Sequence, residues 1–108
     1  MAIEFVATGS PREVARAIEE YAHGQGHVSA IVVPWESSAT MLSMAVTSVK
    51  SDGWAIEHTN LGTITLSDLG DASTAVAVTA HDPDHAEKPK LTGLFDRFAE
   101  QLQRRFKA

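Results

Sequence analysis

The last stretch of the chain, Leu91 to Phe106, places its large apolar side chains at helical spacing. The charged and amide-bearing residues lie between them, so the pattern predicts one amphipathic helix with a buried face. That face comprises Leu91, Leu94, Phe95, Phe98, Leu102 and Phe106. The segments before this helix must therefore supply an apolar surface that covers it.

Length and composition indicate one soluble domain spanning residues 1–108. With 44% hydrophobic residues, the chain has enough apolar material for a core. Cysteine is absent, which excludes disulfides and thiolate chemistry and fits a reducing cytoplasm. The net charge of −5, with scattered basic residues, argues against nucleic-acid binding. The N-terminus does not read as a signal peptide and no apolar run is long enough to cross a bilayer, so we expect a cytoplasmic protein. We predict no cofactor.

The first half of the chain predicts a strand, a helix and a second strand. Ile3 to Ala7 alternates as a short strand. The sequence Ser10-Pro11-Arg12-Glu13 is typical of a helix start, and Gly24 and Gly26 are expected to end that helix. A β-branched run from Val28 to Val33 stops at Pro34, which indicates an edge strand.

Three further strands are predicted before the terminal helix, at Thr40 to Lys50, Trp54 to Leu66 and Thr74 to Ala80. The order is therefore β-α-β-β-β-β-α. Short hairpin connections predict an α+β fold with a mostly antiparallel five-stranded sheet, covered on one face by two helices. We expect the first and last strands to be neighbours.

The Trp54 to Leu66 strand carries most of the functional prediction. A single two-residue period would place Trp54, Ile56, His58, Asn60, Gly62, Ile64 and Leu66 on one inward face. A strand of this length exceeds the usual five or six residues, so we expect a bend or a break between Asn60 and Gly62.

This layout is similar to the helix-grip superfamily of START-like and polyketide-cyclase-like domains (SRPBCC), in which a curved antiparallel sheet wraps a long C-terminal helix. The segments that carry the resemblance are Ser10 to Val14, Leu61 to Leu66, Ser73 to Val78 and the Leu91 to Phe106 helix. The resemblance implies a binder of apolar small molecules between sheet and terminal helix, or a regulator derived from one. The chain is shorter than that superfamily leads us to expect, and only one helix separates its first two strands. Both departures imply a reduced or filled cavity.

The candidate ligand-binding residues follow from this placement. They are Trp54, Ile56, His58, Asn60, Leu94, Phe95 and Phe98. His58 and Asn60 interrupt an apolar face, and buried polar groups need a partner, which a ligand can supply. A backbone carbonyl satisfies such a histidine more often. If the protein is an enzyme, His58 is its candidate acid or base.

Two pairs of histidines form a weaker candidate metal site. His23 and His27 follow the first helix, and His81 and His85 follow the last strand, so the antiparallel layout brings both pairs to one end of the molecule. Imidazole suits a divalent metal. Both pairs also lie in connections, where exposed histidines need no ligand.

Trp35 offers a different class of function. It follows Pro34 at the end of the predicted edge strand, and an edge strand presents unpaired backbone groups to a second chain. A non-enzymatic interaction module with a filled core, forming a symmetric homodimer through this edge, is therefore the alternative to ligand binding.

Overall fold

The structure is a computed structural model that describes residues 2–38, 40–52, 55–80 and 89–107; within these ranges, the side chains of residues 2, 36, 50–52, 55–59 and 89–94 are outside the description. The predicted order of elements is confirmed. The elements are β1 (Ala2–Thr8), α1 (Pro11–Gln25), β2 (Val28–Val32), a short 3-10 helix (Pro34–Glu36), β3 (Met41–Asp52), β4 (Ala55–Gly70), β5 (Ser73–Ala80) and α2 (Pro89–Phe106).

The five strands form one antiparallel sheet with the order β1-β5-β4-β3-β2. The α+β prediction is confirmed, as is the expectation that the first and last strands are neighbours, because β1 pairs with β5 along its whole length. β2 pairs only with β3, so the prediction that it is an edge strand is also confirmed.

The ends of α1 are set by short-range hydrogen bonds. Ser10 has extended backbone angles, and its Oγ accepts from the Glu13 N–H at 3.3 Å, which is the predicted N-cap. Gly26 ends the helix with φ of 81°, and its N–H donates to the His23 carbonyl at 3.2 Å. Gly24 was expected to share in ending the helix, but it remains helical.

Both helices cover the same face of the sheet, as predicted. Alternate residues of the strands point to this face and pack against apolar residues of α1 and α2. The largest fully buried side chains include Ile18 of α1, Leu102 of α2 and Met44, Ile64 and Leu66 of the sheet. The core is therefore one layer between an open sheet and two helices.

Candidate functional site

The long strand β4 contains a register shift at the predicted place. Val46 of β3 lies opposite Gly62, whereas the next residue, Thr47, lies opposite Asn60. Leu61 is therefore an extra residue, which is the arrangement of a β-bulge. The expectation of an irregularity between Asn60 and Gly62 is confirmed.

The bulge corrects the predicted inward face. Leu61 and Gly62 are consecutive and both buried, while Asn60 is exposed. The prediction that Asn60 shares an inward face with Ile64 is wrong, because one inserted residue reverses a two-residue alternation. Within the described part of β4, a single two-residue register therefore does not run from Ala55 to Leu66.

The space between β4 and α2 is filled at Gly62. Phe95 of α2 is 3% exposed, and a Cβ atom built on Gly62 would lie 2.5 Å from Phe95 Cζ. The glycine lets the aromatic ring lie directly on the strand backbone. At this point of the interface there is no room for a ligand.

Phe98 is also a core residue. Its side chain is 2% exposed, and its ring stacks on Tyr21 of α1 with 6.2 Å between the centroids. Tyr21 makes a second, edge-on contact with Phe106 at 6.1 Å. These rings join the two helices over the sheet.

The other predicted ligand-binding residues are not described. Trp54 lies outside the described residues, and so do the side chains of Ile56, His58 and Leu94. The backbone of β4 pairs Ile56 with Ser51 and His58 with Val49.

The structure describes two of the four histidines predicted as a weak metal site. His23 and His27 are exposed, and His27 Nδ1 lies 2.9 Å from the carbonyl oxygen of Gln25. His81 and His85 lie outside the described residues. Within the described part of the chain, no three histidine or acidic side chains are grouped to hold a metal ion.

The free edge of β2 presents backbone groups at alternate residues. The Val49 N–H donates to the His27 carbonyl at 2.9 Å, and the Val33 N–H donates to the Ser43 carbonyl at 2.8 Å. These bonds show that the odd-numbered residues bond to β3. In an antiparallel ladder the even-numbered residues then point their N–H and C=O groups away from it. On β2 those residues are Val28, Ala30 and Val32.

One of these outward groups is held by a side chain of α1. The Val32 N–H donates to Glu19 Oε1 at 3.4 Å, so the carboxylate reaches across to the strand edge. Sequence reasoning missed Glu19, because its position on the helix was that of a solvated charge. No local pattern signals the contact, since it depends on α1 lying beside β2.

A groove lies on each side of Glu19, between α1 and the β2 edge. The first has a volume of about 480 Å³ and is bordered by His23, Gly26 and Val28 to Ile31. The second, of about 790 Å³, has an apolar floor that includes Ala15, Val32 and Leu42.

The opposite edge of the sheet, at β1, is partly covered by the chain itself. Lys107, just after α2, forms an antiparallel bridge with Ala7 of β1. Such covering is one way in which proteins protect an edge strand. The two edges of the sheet are therefore unlike, and β2 is the more open one.

Trp35 lies just beyond the open edge and is 84% exposed. It sits in the 3-10 helix that follows β2. Ser37 closes this connection, because its Oγ donates to the Val33 carbonyl at 2.8 Å and accepts from the Ser43 N–H at 3.2 Å. Ile31, on β2 itself, is 55% exposed. A large aromatic and a branched apolar side chain thus stand in solvent at one corner of the sheet.

Comparison with known proteins adds no relative: no protein-family model, curated protein or solved structure matches the chain. Within the described ranges, the helices are too short or too polar to cross a lipid bilayer.

Proposed function

We propose that this protein is a homotypic interaction module whose copies associate through the free edge of β2. The observation that carries the proposal is the exposure of Trp35 beside an edge strand with outward backbone groups. Tryptophan is among the residues that contribute most to binding at protein interfaces. Strand addition at an open edge supplies main-chain hydrogen bonds for the same interface.

Two further features favour this function over ligand binding in the core. Phe95 packs against Gly62 with no space between them, so the helix and sheet form a solid interior there. β2, with the sequence Val-Ser-Ala-Ile-Val, also carries no charged side chain of its own, so the paired strands themselves add no like-charge repulsion.

Replacing Trp35 with alanine is expected to weaken self-association about 30-fold, because a buried interface tryptophan contributes about 2 kcal/mol. Sedimentation equilibrium over a concentration series measures the dissociation constant. The matched control is Leu69→Ala, which removes another exposed apolar side chain, 55% exposed, on β4, which β3 separates from the β2 edge. Equal effects of the two variants, or a monomeric wild type throughout the series, would contradict the proposal.

Binding of an apolar small molecule between the sheet and α2 remains a second proposal, supported by the sequence pattern of the terminal helix. Phe95 closes the interface at Gly62, so such a site would have to lie beyond that contact along the sheet. Native mass spectrometry of the purified protein tests it, because a retained ligand adds mass. The role of His58 as an acid or base stays a prediction.

A further inference from the structure

We infer that two copies of β2 pair antiparallel about a two-fold axis at Ala30. This inference rests on the proposed self-association and adds its register. The outward groups lie at Val28, Ala30 and Val32, which are symmetric about Ala30. Two-fold pairing then sets Ala30 opposite Ala30 of the second copy, and Val28 opposite Val32 of the second copy.

The neighbouring symmetric registers lose hydrogen bonds. With Val28 opposite Ala30, Val32 would face Gly26, whose N–H already donates inside α1 to the His23 carbonyl at 3.2 Å. With Ala30 opposite Val32, Val28 would face Pro34, which has no N–H. The register centred on Ala30 is therefore the one in which all three positions find both a donor and an acceptor.

Trp35 fits the same register. The 3-10 helix that carries Trp35 follows the C-terminal end of β2, and antiparallel pairing brings that end to the start of β2 in the second copy. The 480 Å³ groove bordered by His23 and Gly26 lies beside the start of β2. The exposed indole of one copy thus meets the open groove of the other, and the symmetry repeats the contact at both ends of the paired strands.

Among the described hydrogen bonds, the one from the Val32 N–H to Glu19 must break for the strands to pair. Glu19 Oε1 accepts from the Val32 N–H, which in the pair donates to the carbonyl of Val28 in the second copy. The carboxylate therefore competes with strand pairing. The monomer keeps this part of its edge bonded, and association releases Glu19 into the adjoining groove.

Cysteine cross-linking tests the register, because the natural chain has no cysteine. The pairing sets Ser29 opposite Ile31 of the second copy as a non-hydrogen-bonded pair. Such pairs have Cα atoms about 4.5 Å apart, within the range that a disulfide spans. A mixture of Ser29→Cys and Ile31→Cys proteins is expected to form a covalent dimer on mild oxidation, at least ten times more than either protein alone.

The control mixture combines Ser29→Cys with Val6→Cys, which places an exposed cysteine on β1 at the other edge. It is expected to give no more dimer than a single variant. Absence of the Ser29–Ile31 cross-link in a protein that still dimerises in a Trp35-dependent way would overturn the register and leave the proposed function standing. A protein that does not dimerise overturns both.

Removing Glu19 tests the competition. Glu19→Ala is expected to tighten the dimer about tenfold, because the Val32 N–H becomes available to the second copy. Glu20→Ala is the matched control. It removes the same charge from the next position of α1, where Glu20 is exposed and 3.8 Å from Arg16, and is expected to leave the dissociation constant unchanged. Equal dissociation constants for Glu19→Ala and wild type would overturn the part assigned to Glu19.

Discussion

Gly62→Ala is expected to destabilise the protein by about 3 kcal/mol, which is a large effect for one added methyl group. The new Cβ would lie 2.5 Å from Phe95 Cζ and closer still to the backbone carbonyl oxygen of Thr79. The ring can turn aside only by disturbing the α2 contact, and the carbonyl belongs to the neighbouring strand. Overpacking of this kind is relieved by shifts of backbone, which are costly.

Urea denaturation of the monomer measures the change in the free energy of unfolding. The midpoint temperature of thermal unfolding is expected to fall by about 15 °C. Gly24→Ala is the matched control, because its position is helical and, apart from its chain neighbours and the nearby helix backbone, no atom lies within 4 Å of the added Cβ. Alanine there is expected to stabilise the fold by about 0.5 kcal/mol through helix propensity. A Gly62→Ala variant as stable as wild type would mean that α2 does not lie on β4 as described.

Phe98→Ala is expected to lower the free energy of unfolding by about 4 kcal/mol, since the side chain is almost fully buried between the helices and the sheet. Truncation leaves a cavity and removes the stacked contact with Tyr21. Phe98→Leu keeps most of the volume and is expected to cost about 1 kcal/mol. The difference between the two substitutions identifies Phe98 as a packing residue rather than as the wall of an open site.

Trp35→Ala supplies the matched aromatic control for this experiment. Trp35 stands in solvent, so its truncation is expected to change the free energy of unfolding of the monomer by less than about 0.5 kcal/mol. The free energy of unfolding is measured at a protein concentration low enough to keep the chain monomeric, because association stabilises the folded state. If Phe98→Ala lowered the free energy of unfolding as little as Trp35→Ala does, the interior around Phe98 would not be closely packed.

If the β2 edges pair as inferred, the two contributions to the interface have different effects. Trp35 supplies buried area and affinity, while the edge hydrogen bonds set orientation and register. Glu19 opposes pairing at this edge, because a bonded edge is a poorer template for a further strand. Every strand that pairs with this edge must displace the carboxylate, and in the symmetric pair both copies do so, so Glu19 lowers the affinity of pairing without selecting the partner.

The local features of this fold could be predicted because each depends on residues close in sequence. Ser10 and Glu13 cap α1 with groups three residues apart, and Gly26 ends it through its own backbone angles. Pro34 marked β2 as an edge strand because proline cannot donate to a ladder. Turn chemistry and short connections were enough to predict the antiparallel sheet and the two helices on one face.

The features that decide the candidate site join residues far apart in sequence. Glu19 reaches Val32 only because α1 lies beside the sheet edge, and Phe95 fills the space over Gly62 only because α2 crosses β4. The length of β4 predicted an irregularity near Asn60 to Gly62, but only the pairing of β4 with β3 shows that Leu61 is an extra residue and that Asn60 leaves the inward face. Periodicity was enough to predict the amphipathic terminal helix. It could not decide whether the aromatic face of that helix lines a cavity or packs a core, because the same apolar residues do both. The pairing of the strands and the crossing of α2 over β4 determine that this face is packed against the sheet.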